Sequence, residues 1–512
     1  KKFGPRTSHA HESPWRLLTS PAALQLDLPT APGLRRQLQQ QVRDLPPGSS
    51  VVICSTALGS RWRSRRFARD AGIEVLREYV AIPSASPPTC YVEETPLALR
   101  YFFTHVSALP GGGAAISALL AGAKSAARFV FPWALIGALA PTRIVVGRIP
   151  MATSSVSSEV ASARVLSASD LLDMPDMEAI VLAFSKDPNA KLMVLLLPRG
   201  GSRPTLAVKI PTTEAAEANI AAERLVLSEL QARLPANMLG TIPRISDLLN
   251  PEGRPILIAT ALPGSAMATR YHGWRHVATP RAVEADFSMV EAWLARFQSA
   301  TAGASMPIDM DGGTGELLRQ RYAGDPALDT VLARLSAIYA RLNRTATPRT
   351  AVHGDFWFGN LLVLGDEISG VIDWEAGSSC GEPVRDLVRF ATTYALYLDR
   401  HSPAGGRVAG HNGLRTGVWG SGIEFAVNGK GWFPELFRVF VRNGLARLGA
   451  DPACWRDVTL AGLAEVSATA DHDAFATLHW QLFARLSEEA VEDHVARSRE
   501  LTGVFAATVE PG

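Results

Sequence analysis

Between residues 177 and 263 the apolar pattern of this chain changes twice, and that change limits the folds open to it. Residues 179–184, 191–197 and 205–210 are short apolar runs, with Arg199-Gly200-Gly201-Ser202 as the turn between the last two. They predict a three-stranded antiparallel meander. Pro211 stops the third run, and Thr212 or Thr213 can cap a helix running to about Arg233. Another strand, 255–260, follows a Pro/Gly turn. Beyond Pro263-Gly264 the spacing is mostly helical, except for one hairpin over 361–374. An α+β protein is expected, with a small β-rich lobe over 175–262 and a larger helical lobe over 263–512.

The 512 residues leave room for a further unit upstream. A helix-like stretch at 34–43, the turn Pro46-Pro47-Gly48 and an apolar strand at 51–54 open it. A basic helix at 64–70, ended by Gly72, and a strand at 73–82 follow. A small α/β module over 1–150 is predicted. Residues 151–174, rich in serine, alanine and valine, read as a linker.

Hydrophobic residues at 47% and charged residues at 20% exclude a long disordered chain. Lysine plus arginine number 51 against 49 acids, and a net charge of +2 gives no reason to expect nucleic acid as a partner. Cys54, Cys90, Cys380 and Cys454 stand far apart with no CxxC pair, and the first twenty residues lack the apolar core of a secretion signal. A reducing, cytoplasmic setting is expected. The stretch 114–140 is broken by Lys124, Arg128 and Pro132, which leaves an apolar run far short of the ~20 residues a spanning helix needs. It reads as buried or interface-seeking helices, with peripheral membrane contact the lesser reading.

The helix predicted over 213–233 carries an anomaly. At 100° per residue Ala216, Ile220, Leu227 and Leu230 fall on one stripe, and Glu223 falls within it. A buried carboxylate needs a partner, because an unpaired charge costs several kcal/mol. Lys209 is the nearest upstream candidate, on the opposite face of its strand from Leu206, Val208 and Ile210. A lysine–glutamate pair that fixes an ammonium is one reading. A glutamate that snorkels to solvent and an ordinary surface lysine are the other.

A second constellation is Val352-His353-Gly354-Asp355-Phe356-Trp357-Phe358-Gly359-Asn360, followed by a hairpin that returns to Asp373. Asp355 and Asn360 lie five apart in a loop, and Asp373 ends an otherwise apolar strand. Hairpin pairing brings Asp373 close to Asn360. Oxygens of Asp and Asn at one point suit a hard cation such as Mg²⁺, and Asp355 can orient or deprotonate a hydroxyl. Together they look like phosphoryl-transfer machinery.

The strings HGDFWFGN and ISGVIDWE resemble the catalytic loop and metal-binding segment of the aminoglycoside phosphotransferase and choline-kinase-like family, relatives of protein kinases. The resemblance covers about residues 175–400. It implies a bilobal protein-kinase-like fold and an ATP- and Mg²⁺-dependent phosphotransferase that acts on a hydroxyl of a small molecule. An aminoglycoside-like antibiotic, a sugar or an amino alcohol would serve as acceptor. It implies Asp355 as catalytic base, Asn360 and Asp373 as Mg²⁺ ligands, and His353 as a residue that shapes the loop. It further implies Lys209 on the ATP phosphates with Glu223 holding it, and Asp386 as the aspartate that braces the loop. The segment 255–264, with Thr260, Ala261 and Leu262, resembles the connection whose backbone grips adenine. Between the first two strands the phosphate-covering loop reads Ser185-Lys186-Asp187-Pro188-Asn189, without glycine, so Ser185 and Lys186 are the phosphate contacts to expect there.

Other signals are weaker. Asp471-His472-Asp473 reads as a polar run near a helix start, with a metal site the alternative. Glu488, Glu489, Glu492 and Asp493 read as a solvated face or as the lining of a pocket for a cationic acceptor. The glycine-rich stretch 404–431, with Trp419, is a long insertion of the kind that shapes substrate entry. Residues 46–82 resemble the closing β-α-β part of a class I methyltransferase fold, without the glycine-rich turn that would hold S-adenosylmethionine. Arg61, Arg63, Arg65, Arg66 and Arg69 form a basic cluster that could meet an anionic partner or simply face water. A nucleotide-binding pseudokinase or scaffold, and a bifunctional kinase with an N-terminal methyltransferase, are the alternative functions.

Overall fold

A computed structural model describes residues 14–19, 23–29, 32–56, 59–82, 90–106, 140–151, 174–183, 189–249 and 256–488. They form two compact units. One holds the described residues up to Leu262 except 225–243, and the other holds 225–243 and the described residues from Pro263 onward. The fold is α+β, with a β-rich unit and a mainly helical one.

The first unit is built on one ten-stranded sheet. Its strands are β1 (Leu24–Asp27), β2 (Ser50–Ser55), β3 (Glu74–Ile82), β4 (Cys90–Glu93), β5 (Arg143–Arg148), β6 (Met177–Leu182), β7 (Lys191–Pro198), β8 (Leu206–Pro211), β9 (Ile245–Leu249) and β10 (Ile256–Thr260). Their order across the sheet is β1-β2-β5-β3-β4-β6-β7-β8-β10-β9. The predicted meander is β6-β7-β8, paired antiparallel, and β10 lies antiparallel to β8. Among the described strands only β1 and β2 pair in parallel, joined by the helix Pro32–Arg43, as a parallel pair requires a crossover. β5 lies antiparallel between β2 and β3.

The sequence places a module boundary at 151–174, yet strands from both sides of it share this sheet. β4 pairs with β6, Tyr91 opposite Val181. One apolar cluster follows a single face from Val52 through Tyr79, Val146 and Val181 to Ile258. A buried ion pair pins the seam as well. Arg77 on β3 donates to Glu93 at 2.5 Å, to the Met177 carbonyl at 2.7 Å and to the Met174 carbonyl at 2.5 Å. The same Glu93 oxygen accepts from the Ala179 N–H at 2.7 Å. A buried pair is retained at low cost only when its remaining donors and acceptors are satisfied in this way. Physically, the edge strand of the meander is covered by pairing, which removes the exposed ladder it would otherwise present.

The basic helix forms as Ser60–Ala71, and Gly72 closes it at φ 74°. Its arginines face acids of the same unit: Arg61 lies 3.3 Å from Glu94, Arg65 2.6 Å from Glu78, and Arg66 3.6 Å from Asp70. The acids turn a one-sign patch on the sequence into a paired surface. Most of the stretch 114–140 and of the linker lies outside the described residues. No described helix is long and apolar enough to cross a membrane. All four cysteines are free thiols.

In the second unit long helices surround the predicted hairpin, which forms as Leu361–Leu364 and Glu367–Val371. Leu364 pairs with Glu367 across a two-residue turn, and Gly365 there has φ 63°. The helix Val384–Leu396 runs through the centre. The backbones of its neighbours come close because glycine faces it: a Cβ on Gly444 would meet Leu387 at 2.4 Å, and one on Gly462 would meet Val388 at 2.7 Å. That packing fixes the helix on which the site is hung.

Candidate active site

The anomaly of the helix, observed over Glu214–Arg233, resolves as a pair. Ala216, Ile220, Leu227 and Leu230 are fully buried, and Glu223 is 1% exposed among them. Lys209 Nζ on β8 donates to both Glu223 oxygens at 2.7 Å. Lysine and glutamate are therefore buried partners, and the snorkelling alternative fails. A bidentate carboxylate holds the ammonium at one point on the sheet, where a free lysine stem would wander over several rotamers.

In the second unit the loop 353–360 is fixed from three directions. Gly354 has φ 79°, and a Cβ there would stand 2.1 Å from the Ala376 carbonyl oxygen, so only glycine fits. Asp386, buried in the helix Val384–Leu396, accepts from the His353 N–H at 2.7 Å and the Gly354 N–H at 2.9 Å. Burial raises its pKa above the ordinary carboxylate value, partly offset by those two N–H donors and by His353. His353 is buried, its Nε2 is 2.8 Å from the Ile372 carbonyl and its Nδ1 accepts from the Asp355 N–H at 3.3 Å. A carbonyl can only accept, so the proton sits on Nε2 and the ring ties the loop to the returning strand.

The hairpin register brings the two candidate cation ligands together. Leu361 pairs with Val371, and the Ile372 N–H donates to the Asn360 carbonyl at 3.0 Å, so Asp373 follows directly opposite the end of the loop. Asp373 has φ 71° and ψ 61°, a left-handed conformation that aspartate tolerates better than most residues and that gathers at functional sites. Asn360 Nδ2 donates to the Asp355 carbonyl at 3.0 Å and to Asp355 Oδ2 at 3.2 Å. With its nitrogen so used, the amide presents its oxygen as the remaining ligand atom. Asp355 itself is 35% exposed at the side chain, so a reactant can reach it.

One further residue, which the sequence did not signal, closes this cluster. Arg389 Nε and Nη2 reach Asp355 Oδ1 at 3.1 and 2.7 Å. It stands one helical turn beyond Asp386, and that i,i+3 spacing from a loop-bracing aspartate is the one clue the sequence held.

The remaining expectations divide. Ser185 and Lys186 lie outside the described residues. At the adenine-gripping segment, the Thr260 N–H donates to the Arg244 carbonyl at 2.8 Å and the Ala261 N–H to the Thr205 carbonyl at 2.9 Å. Two of the three backbone donors expected for a base are thus engaged within the protein. Asp473 pairs with Arg321 at 3.3 Å and Glu488 with Arg334 at 3.4 Å, while Glu489, Glu492 and Asp493 lie outside the described residues. The insertion 404–431 is ordered by a bridge between Arg407 and Arg415 and the helix Ser421–Asn428. Its Trp419 packs edge-on against His479, with ring centroids 4.7 Å apart.

Comparison with known proteins bears on this geometry. A model of the phosphotransferase enzyme family matches residues 194–417. No curated protein sequence matches the chain. Among solved structures it is similar to the ADP-bound aminoglycoside phosphotransferase APH(2'')-Ib, at 14% identity and a TM-score of 0.37, over 60% of this chain and 93% of that one. A thermostable mutant of aminoglycoside phosphotransferase APH(4)-Ia, in a ternary complex with AMP-PNP and hygromycin B, aligns at 12% identity and a TM-score of 0.38, over 60% and 93%. The macrolide 2'-phosphotransferase MphH from Brachybacterium faecium aligns at 17% identity and a TM-score of 0.30, over 55% and 90%. The family model's match spans Lys209, Glu223, the loop, the hairpin and Arg389.

Proposed function

We propose that the protein transfers the γ-phosphoryl group of ATP to a hydroxyl of a small molecule, and that it works in the cytoplasm. The observation that carries this reading is the meeting of Asp355, Asn360 and the end of the hairpin at Asp373 on a loop braced by Asp386. The Asn360 amide oxygen and the Asp373 carboxylate are hard oxygen donors, the kind Mg²⁺ takes in small number together with phosphate and water. They would hold the ion, which when bound neutralises charge on the phosphates.

The chain's own groups do the rest. Lys209, held by both Glu223 oxygens, offers a fixed ammonium to phosphate oxygens. With the Thr260 and Ala261 donors engaged, the backbone donor for the nucleotide base is that of Leu262. Asp355 Oδ2 accepts the hydrogen bond of the acceptor hydroxyl and takes its proton as that oxygen bonds to the γ-phosphorus, while the bond from that phosphorus to the bridging oxygen breaks and ADP leaves with the electron pair. Positioning supplies most of the acceleration in such a transfer. An aminoglycoside-like antibiotic, a sugar or an amino alcohol fits the acceptor's role.

A screen of hydroxylated metabolites and antibiotics with Mg·ATP, read by ADP release, tests the proposal. Asp355→Ala is expected to abolish transfer and to leave nucleotide binding in calorimetry intact. Normal turnover by that variant refutes the assignment.

A further inference from the structure

We propose that Arg389 is a positioning residue that sets which oxygen of Asp355 faces the acceptor. The inference rests on the phosphotransferase reading and deepens it. The helix Val384–Leu396 presents Asp386 and Arg389 three residues apart on one side. Asp386 grips the backbone N–H groups of His353 and Gly354, and Arg389 grips the side chain of the next residue, Asp355. Three consecutive loop residues are therefore held by one helix, and that helix is locked by the close approach of Gly444 and Gly462.

The two oxygens of Asp355 are not equivalent. Oδ1 takes two N–H groups of one guanidinium, at 3.1 and 2.7 Å, in the planar fork that arginine offers. Oδ2 has one longer contact, from Asn360 at 3.2 Å. A carboxylate gripped at Oδ1 from the plane of a guanidinium cannot rotate about its terminal bond without breaking both bonds. Oδ2 is then the oxygen presented to the hydroxyl. The helix that carries Arg389 is tied further, since Arg385 pairs with Glu465 at 2.5 Å and links it to Trp455–Thr469. A lysine at 389 would keep the charge and lose the fork.

The probe is Mg·ATP with radiolabelled γ-phosphate, first with water as acceptor and then with the compounds of the screen, on the full chain. Arg389→Met is expected to lower kcat for ADP release by roughly 10- to 100-fold with the KM for Mg·ATP unchanged, a loss of orientation rather than of binding. Arg389→Lys is expected to stay about 10-fold down, and its melting temperature shows whether the fold is kept. Two results overturn the proposal: wild-type kcat in Arg389→Lys, or a rise in KM at unchanged kcat. A wild-type protein that neither binds nor turns over Mg·ATP overturns the phosphotransferase reading, and this inference with it.

Discussion

Lys209→Met tests the buried pair on which nucleotide binding is proposed to depend. Removing the ammonium leaves Glu223, 1% exposed, facing an apolar stem. Breaking a buried pair by one partner costs about 3–5 kcal/mol, because the other charge stays out of water. Lys209→Met/Glu223→Leu removes both charges and is expected to recover most of the stability without recovering Mg·ATP affinity. Urea unfolding followed by tryptophan fluorescence, with calorimetry for the nucleotide, reads both. A Lys209→Met variant as stable as wild type, or a double variant as unstable as the two single losses added, refutes the reasoning.

Two further outcomes follow from particular side chains. Gly354→Ala forces a Cβ to 2.1 Å from the Ala376 oxygen at a φ of 79°, so the loop must move. A loss of about 2 kcal/mol or more in thermal unfolding and loss of ADP release are expected, and a wild-type melt with full activity sinks the account. His479 is 3% exposed, with its ring against Trp419 and Phe475, and burial holds its pKa down to about 4. Its folded pKa lies below the unfolded value near 6.5, so its contribution is whole above pH 6.5 and declines as acid protonates the unfolded chain. At pH 5 the cost is about 2 kcal/mol. His479→Phe should lose that much less stability than wild type between pH 7.5 and 5, and equal losses in the two proteins would show that another group is responsible.

Local pattern carried a good part of both the fold and the candidate site. The meander, the helix after it and the hairpin were legible because each is specified by residues a few positions apart. The need behind the Lys209–Glu223 pair was legible, because a carboxylate on a stripe of Ala216, Ile220, Leu227 and Leu230 must either find a partner or snorkel to solvent; the structure chose the lysine fourteen residues away. Asp373 beside Asn360 followed from hairpin pairing, while the bulge between Leu362 and Val363 that sets the exact register was not legible.

What local pattern could not carry is choice of partner among distant groups. The strand pairing of β4 with β6, the insertion of β5 between β2 and β3, and the Arg77 clamp on residues 174 and 177 join segments that many residues separate. The arginines of Ser60–Ala71 looked like an unpartnered cluster because their acids, Glu78 and Glu94, lie beyond the helix. Arg389 was invisible as a member of the site because it meets Asp355 from thirty-four residues away. Sequence alone determined which elements form and which side chains need partners, since periodicity and the cost of a buried charge are local constraints. Only the tertiary structure decided which arginine meets which carboxylate and which strand covers which edge. Those choices depend on chain closure over long distances, where many residues of the right chemistry compete and packing selects one.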